Sequence, residues 1–245
     1  MSEKGKIRLD HLLVERELAE SRQKARGLIM AGLVRVNGQK EDKPGKRISP
    51  DASIEINSLP RYVSRGGLKL EAALKEFQIN VAGLTLLDIG ASTGGFTDCL
   101  LKHGAGKVIA VDVGYGQLHW SLRQDPRVAV LERVNARYLK PEDLNWPVHG
   151  AVVDVSFISL KLVLPPISRI LPANTFVVAL VKPQFEVGKK EVGKGGVVRN
   201  PEARERVVNE LAAFSRTLGW SVKGHIPSPV LGPKGNQEYL MYLQK

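Results

Sequence analysis

The chain has almost no cysteine: Cys99 stands alone among 245 residues. That excludes a disulfide framework and any Cys/His cluster spaced for zinc, and a lone thiol fits a reducing compartment. Long apolar runs are also absent. Nothing approaches the roughly 18 consecutive apolar residues of a membrane span. The opening MSEKGKIRLD lacks the apolar core of a secretory signal, so a soluble cytoplasmic protein, with no membrane and no metal among its partners, is expected. Low-complexity tracts are missing too. With 43% hydrophobic and 25% charged residues the composition is globular, enough for one large domain or for a large and a small one.

What the chain has in excess is positive charge, a formal net of +11. Residues 1–69 hold 15 Lys/Arg against 9 Asp/Glu, and the remaining 176 residues hold 21 against 16. Over half the excess therefore lies in under a third of the chain, which points to a polyanion-facing module at the front.

Within that front segment Leu9, Leu12 and Leu13 recur at helical spacing, with Leu18 closing the turn after them. Ser21 is a good N-cap for a second helix through Ala25, Leu28 and Ile29 that ends at Gly32. LVRVNGQ then alternates apolar and polar residues and turns at Asn37-Gly38, the strongest short hairpin signal, and residues 51–56 read as the closing strand. Arg22, Lys24 and Arg26 fall away from the apolar positions, free to neutralise phosphates or simply to solvate that face. The segments R-L-D at residues 8–10, S-R at 21–22, A-G at 31–32 and V-N-G at 36–38 resemble the alpha-L motif, a small RNA-binding module. The resemblance implies binding to structured RNA with Ser21, Arg22, Lys24 and Arg26 on the contact face. A linker rich in small and turn-forming residues follows, and the domain boundary is expected at Leu59 and Pro60, giving domains 1–59 and 60–245.

From residue 84 the pattern changes to alternation. LTLLDIG, KVIAVDVG, VAVLERV, AVVDVSF and TFVVALV read as buried strands. GFTDCLLKHG, QLHWSLRQD, LVLPPISRIL and residues 201–218 read as helices, the last capped by Asn200 and ended by Gly219. WSVKGHI and EYLMYLQ close the chain as a strand pair suited to an antiparallel edge. This predicts an α/β fold, a doubly wound parallel sheet covered on both faces, behind a small α+β RNA-binding domain.

In such sheets ligands bind beyond the C-terminal ends of the strands. The first strand runs into the glycine loop LDIGASTGGF, and Gly90, Ser92, Gly94, Gly95 and Phe96 would border a ligand there. The spacing is not that of a dinucleotide fingerprint. Asp88 would repel a pyrophosphate but suits an ammonium, and Asp112, 22 residues after Gly90, can accept from two ribose hydroxyls. An acid, a glycine turn and a second acid describe S-adenosylmethionine better than NAD. In NARYLKPEDL, Asn135 and Ala136 fall where such folds hold the adenine.

Asp154 and Lys182 stand at the ends of the next two strands, Lys69 where a helix begins after two glycines, and Glu238 where a strand begins. Two lysines and two carboxylates at such positions would form one charge-balanced cluster. Deprotonating a ribose hydroxyl as it attacks a methyl group is chemistry such a cluster can do. Lysine is ordinarily too basic for this near neutral pH, but burial and a neighbouring cation favour the amine.

The set Lys69, Asp154, Lys182, Glu238 is similar to that of the RrmJ/FtsJ-type ribose 2'-O-methyltransferases, in the same chain order. With the alpha-L module in front, SRGGLKL, DIGASTGGFTDCLL, DVGYGQL, DVSFISL, LVKPQFE and GNQEYL resemble the TlyA family, also labelled haemolysins. That family implies 2'-O-methylation of cytidines in ribosomal RNA. Two departures from the plain enzymes stand out: Thr93 replaces a proline in the glycine loop, and Val-Ser-Phe follows Asp154. Phe157 is expected in the core in preference to stacking on a base. The stretch 186–200, mixing glycines and lysines without an apolar period, reads as a loop beside Lys182, either a mobile lid or plainly solvated. Three other functions are open to this sequence. An RNA-binding protein with an inactive methyltransferase-like half is one. A membrane-active haemolysin would need a wide apolar helix face, and a small-molecule or base methyltransferase fits poorly with an RNA module in front.

Overall fold

In a computed structural model the described residues are 5–57 and 60–245, with the side chain of Lys189 left aside. They fall into two compact units, one ending at Pro60 and one beginning at Arg61. Leu59, half of the expected boundary, lies outside the described residues.

The N-terminal unit comprises β1 (Ile7–Arg8), α1 (Leu9–Glu15), α2 (Arg22–Met30), β2 (Val34–Val36), β3 (Gln39–Glu41), β4 (Arg47–Ile48) and β5 (Ile54–Ile56). Both expected helices are there. The hydroxyl of Ser21 accepts from the Lys24 amide at 3.2 Å and so caps α2. Asn37 and Gly38, with φ of 49° and 77°, make the left-handed turn that joins β2 to β3. Residues 51–56 supply a shorter strand than expected, since only Ile54–Ile56 pair with β2. Leu9, Leu12, Leu13, Ala25, Ile29, Val34 and Ile48 pack into one core.

The second unit opens with α3 (Gly66–Glu76), followed by β6 (Thr85–Ile89), α4 (Gly95–Lys102), β7 (Lys107–Asp112), α5 (Trp120–Arg123) and β8 (Val128–Glu132). It continues with β9 (Gly150–Val153), α6 (Leu160–Ile170), β10 (Phe176–Val181), α7 (Pro201–Thr217), β11 (Ser221–Pro227) and β12 (Tyr239–Gln244). Seven strands form one sheet in the order β11-β12-β10-β9-β6-β7-β8. The five from β10 to β8 are parallel, and β12 and β11 add the expected antiparallel edge.

Near-continuous apolar strands are explained by burial on both faces. Leu87, Ile89, Ile109, Val111, Ala151 and Val153 pack against α6 and α7, whereas Leu86, Val108, Ala110, Val152 and Val178 pack against α3 and α4. The segment QLHWSLRQD forms only the single turn of α5, and AVVDVSF stops being strand at Val153. Stretch 186–200 is more ordered than a plain loop. It holds a 3-10 turn at Lys189–Glu191 and a bridge between Gly193 and Val197, and buried Asn236 ties it down, donating to the Gly196 carbonyl at 2.9 Å and accepting from the Val198 amide at 3.1 Å.

Candidate active site

The C-terminal ends of the parallel strands carry two cavities that share a wall. The first, of about 490 Å³, is lined by Gly90, Ser92, Asp112, Asn135 and Ala136, with Val134, Val155 and Ile158 as an apolar side. The second, of about 360 Å³, is lined by Lys69, Asp154, Lys182 and Glu238, with Gly95 and Phe96. Gly90, Ser92, Asp154 and Ser156 belong to both.

Two backbone positions make this geometry possible. Gly90 has φ 84°, and a Cβ there would run into the carbonyl of Asp154, so only glycine lets the β6 and β9 loops touch. Gly94, with φ 94°, caps α4 in the left-handed region and turns the loop into the helix. Asp112 is held by backbone: its Oδ2 accepts from the Ser92 amide at 2.8 Å and its Oδ1 from the Gly114 amide at 2.7 Å. The Asn135 side chain accepts from the Arg137 amide at 3.1 Å and caps the turn that begins at Ala136.

Asp88 sits elsewhere than the sequence suggests. It is fully buried under the glycine loop, on neither cavity wall, and its Oδ2 accepts from the Thr97 hydroxyl at 2.6 Å. Oδ1 has no hydrogen-bond partner. Burial pushes this carboxyl up to about 7, against the Thr97 hydrogen bond and helped by the charges of Asp154 and Asp112. Gly94 also lies outside both walls and acts through the turn and through the close approach of Leu118 and Leu122.

The four charged residues meet because of strand register. β10 runs parallel to β9, with Ala179 opposite Val153, and antiparallel to β12, with Val181 opposite Tyr239. The residues just beyond, Asp154, Lys182 and Glu238, therefore emerge side by side. The first turns of α3 bring Lys69 to Glu238, with Nζ 2.5 Å from Oε2. Lys182 Nζ lies 2.6 Å from Asp154 Oδ1 and donates to the Ser156 hydroxyl at 2.8 Å. The Asp154 contact is an ion pair, not an aligned hydrogen bond, so that oxygen still lacks a donor, as does Oε1 of buried Glu238. Buried acceptors are costly when unfilled, and both belong to residues lining the second cavity.

Sequence reasoning missed three neighbours. Ser156 contacts Lys182 directly; only its place two residues after Asp154 could have signalled it. Gln117 joins the first cavity and accepts from the Ser92 hydroxyl at 3.3 Å. Glu186 accepts from the Ser159 hydroxyl at 2.6 Å and the Leu160 amide at 2.7 Å, tying the Lys182 loop to the start of α6, and burial raises its carboxyl above the usual range. Phe157 is a correction: it is 90% exposed, not in the core. The strand ends four residues earlier, the backbone at Phe157 turns left-handed with φ 63°, and its ring meets Phe185 at 5.0 Å.

On the N-terminal unit Arg22, Lys24 and Arg26 are all exposed, as expected. Arg22 also has a structural task, donating to buried Asp10 at 3.2 Å beside Arg8, and Lys24 pairs with Glu20. Arg26 makes no ion pair among the described residues.

Comparison with known proteins places this geometry. Residues 62–245 match the FtsJ-like methyltransferase family. The chain belongs to that family. Residues 7–54 match the S4 domain, so this FtsJ-like chain carries an S4 unit in front. It is 51% identical over 241 residues, 98% of this chain and 90% of the relative, to the 16S/23S rRNA (cytidine-2'-O)-methyltransferase TlyA of Mycobacterium tuberculosis. A solved structure from Streptococcus thermophilus that carries the hemolysin name is 47% identical, with a TM-score of 0.76 over 98% of this chain and 89% of that one. An S-adenosylmethionine dependent methyltransferase from Listeria monocytogenes shares the fold at 16% identity, with a TM-score of 0.54 over 74% of this chain and 99% of that one. Among the described residues no helix is long and apolar enough to cross a membrane, and no group of three His, Cys, Asp or Glu is placed to hold a metal.

Proposed function

We propose that this FtsJ-like chain uses S-adenosylmethionine to methylate the ribose 2'-hydroxyl of cytidine in ribosomal RNA, in the cytoplasm. The observation that carries the reading is Lys182, paired with Asp154 and Ser156 on the edge common to the two cavities. The name of the Mycobacterium tuberculosis relative supports the choice of nucleotide.

In this reading the first cavity is the donor site. Its fit rests on an acid fixed at one end, Asp112, and an apolar wall of Val134, Val155 and Ile158, as a nucleoside with free ribose hydroxyls requires. Gly90, Ser92, Asn135 and Ala136 would border the donor, while Asp88, Gly94, Gly95 and Phe96 shape the loop that holds it. S-adenosylmethionine supplies an electrophilic sulfonium methyl when bound.

The second cavity takes the target ribose. Lys182 Nζ donates to Ser156, stands in ion-pair contact with Asp154 and lines the second cavity. As the amine, Lys182 takes the proton of the 2'-hydroxyl so that the oxygen reacts as a nucleophile. The unfilled oxygens of Asp154 and Glu238 accept hydrogen bonds from the nucleotide, and Lys69 balances the charge of Glu238. Positioning of the hydroxyl by these groups supplies much of the remaining acceleration. Exposed Phe157 offers the base a stacking face beside the site.

Residues 1–59 are read as the RNA-binding domain, with Ser21, Arg22, Lys24 and Arg26 toward the RNA, and 60–245 as the methyltransferase domain. The family matches at 7–54 and 62–245 support that division. A membrane-active reading has lost its helix: the apolar face of α7, including Val207, Val208 and Leu211, is buried against the sheet.

The test is transfer of a labelled methyl group from S-adenosylmethionine to ribosomal RNA, subunits and particles, followed by nuclease and alkaline digestion. Label in an alkali-resistant dinucleotide is expected. Label on a free base would overturn the assigned roles of the four residues, and RNA binding without label would favour the RNA-binding protein.

A further inference from the structure

The loops after β7 and β8 carry an exposed surface that, Val113 apart, neither cavity uses. Val113, Tyr115, Trp120 and Tyr138 are all exposed, at 71%, 69%, 71% and 69%. Large apolar side chains are rarely left in water together without a reason. Two of them have a guanidinium over the ring: Arg133 lies 4.5 Å from the centroid of Tyr115, and Arg137 lies 5.3 Å from that of Tyr138.

These loops are bound into one rim. The Arg133 amide donates to the Gly114 carbonyl at 3.1 Å, the Val134 amide to the Asp112 carbonyl at 3.0 Å, and the Gly116 amide to Glu132 at 2.8 Å. The arginines here divide into two kinds. Arg123 and Arg127 are neutralised by Glu132 and Asp125. Arg133 and Arg137 are exposed and enter no ion pair among the described residues; the nearest polar partner of Arg137 is the neutral side chain of Asn135 at 3.3 Å. The rim therefore presents exposed aromatic rings, two of them with one face under a guanidinium, together with positive charge that no carboxylate neutralises. Tyr115, Trp120, Arg133, Tyr138 and Arg137 line neither cavity, so donor binding does not explain them.

We propose that this rim is a second nucleic-acid contact, separate from the N-terminal module: a platform on which a single-stranded RNA segment next to the target stacks its bases, with Arg133 and Arg137 on its phosphates. It rests on the reading of the chain as an RNA-modifying enzyme and adds where the flanking strand lies. A stacked base needs an exposed ring and a backbone needs cations that no carboxylate neutralises, and this rim offers both. The place is apt, since Val113, Asn135 and Ala136 of the same loops line the donor cavity.

The experiment uses the full chain, a single-stranded pyrimidine RNA of about 12 nucleotides as probe, and tryptophan fluorescence across a salt series. Of the three tryptophans Trp120 is exposed, Trp146 half-buried and Trp220 buried, so quenching that vanishes in Trp120→Phe reports contact at the rim. Replacing Tyr115 and Tyr138 together by alanine is expected to weaken binding by about tenfold or more. Arg133→Ala with Arg137→Ala is expected to lower the slope of log K against log salt by about 1.4, the loss of two phosphate contacts on a single strand. Donor affinity, measured separately, stays unchanged in both variants.

The proposal is overturned if the wild type shows no quenching or if both variants bind with wild-type affinity and slope. A parallel loss of donor affinity would assign the residues to the donor site. Loss of binding to ribosomal particles but not to naked RNA would assign the rim to a protein. RNA that is bound and quenches Trp120 but is never methylated keeps the rim and removes the enzymatic reading, so the two failures are distinct.

Discussion

Asp10 in the N-terminal unit and Glu238 in the sheet unit are both carboxylates with no exposed surface, and both face cations. Asp10 takes two bonds from Arg8, at 3.0 Å each, and one from Arg22 at 3.2 Å. Its capacity is used. Glu238 takes one from Lys69 and keeps Oε1 unfilled, in a cavity wall. Burial and charge are alike; satisfaction differs. A buried acid whose oxygens are all paired holds a fold together; Glu238, with an open acceptor and a place in a cavity wall, is the one we read as meeting a ligand.

That comparison is most directly tested at the lysine with the sharpest task. Lys182→Ala is expected to lower methyl transfer at saturating RNA and donor by about 10²- to 10⁴-fold, the usual worth of a general base, with RNA affinity retained. Wild-type turnover in this variant would remove Lys182 from the chemistry.

Ser156→Ala should lower turnover by roughly tenfold, because one of the two restraints that aim the Lys182 nitrogen is lost. Ser156→Thr keeps the hydroxyl and is expected to restore it. KM for the donor serves as the control: an effect on KM alone would mean that Ser156 shapes the cavity wall and does not orient the lysine.

Asp10→Asn is expected to cost stability without touching chemistry, by about 1.5–3 kcal/mol for the loss of its charged hydrogen bonds. Arg8 first, and then Arg22, hold the Asp10 carboxyl below its ordinary range against the cost of burial. Its contribution is therefore present above about pH 4, where the unfolded acid is ionised, and disappears as pH falls through the lower folded value. Chemical denaturation of the Asn variant between pH 3 and 7 would show a difference from wild type that grows with pH.

Asp88 runs the other way. Its folded value of about 7 exceeds the unfolded one, so stability is fully present below about pH 4 and declines as pH rises through 7. Asp88→Asn should remove the decline and raise Tm by a few degrees at pH 8 relative to wild type, with little difference at pH 4. An unchanged pH profile would mean that the buried acid ionises without penalty.

Much of this was legible because strand burial on both faces leaves an unmistakable apolar run. LTLLDIG, KVIAVDVG and TFVVALV became β6, β7 and β10, and Asp112 and Lys182 at the ends of the last two fell on cavity walls. Three of the four charged residues could be grouped from strand ends, and Lys69 from the helix that begins after two glycines. AVVDVSF was misleading because its alternation outlasts its hydrogen bonding. After Val153 the chain crosses to Gly90 and turns left-handed at Phe157, and nothing in the residue types marks that change. Asp88 was misjudged for a related reason: a strand residue's face depends on register, and here it points under the loop toward Thr97. The double duty of Arg22 was hidden because Asp10 lies twelve residues away on another helix.

The wall shared by the two cavities has a practical consequence. Gly90, Ser92, Asp154 and Ser156 line both chambers, so a wall one residue thick is all that lies between a ligand in one and a ligand in the other. On the proposed assignment of the two cavities, a compound joining an adenosine-like head to a cytidine-like head through a short tether would engage both at once, and its effective concentration at the second would reach about millimolar for a tether that matches the span.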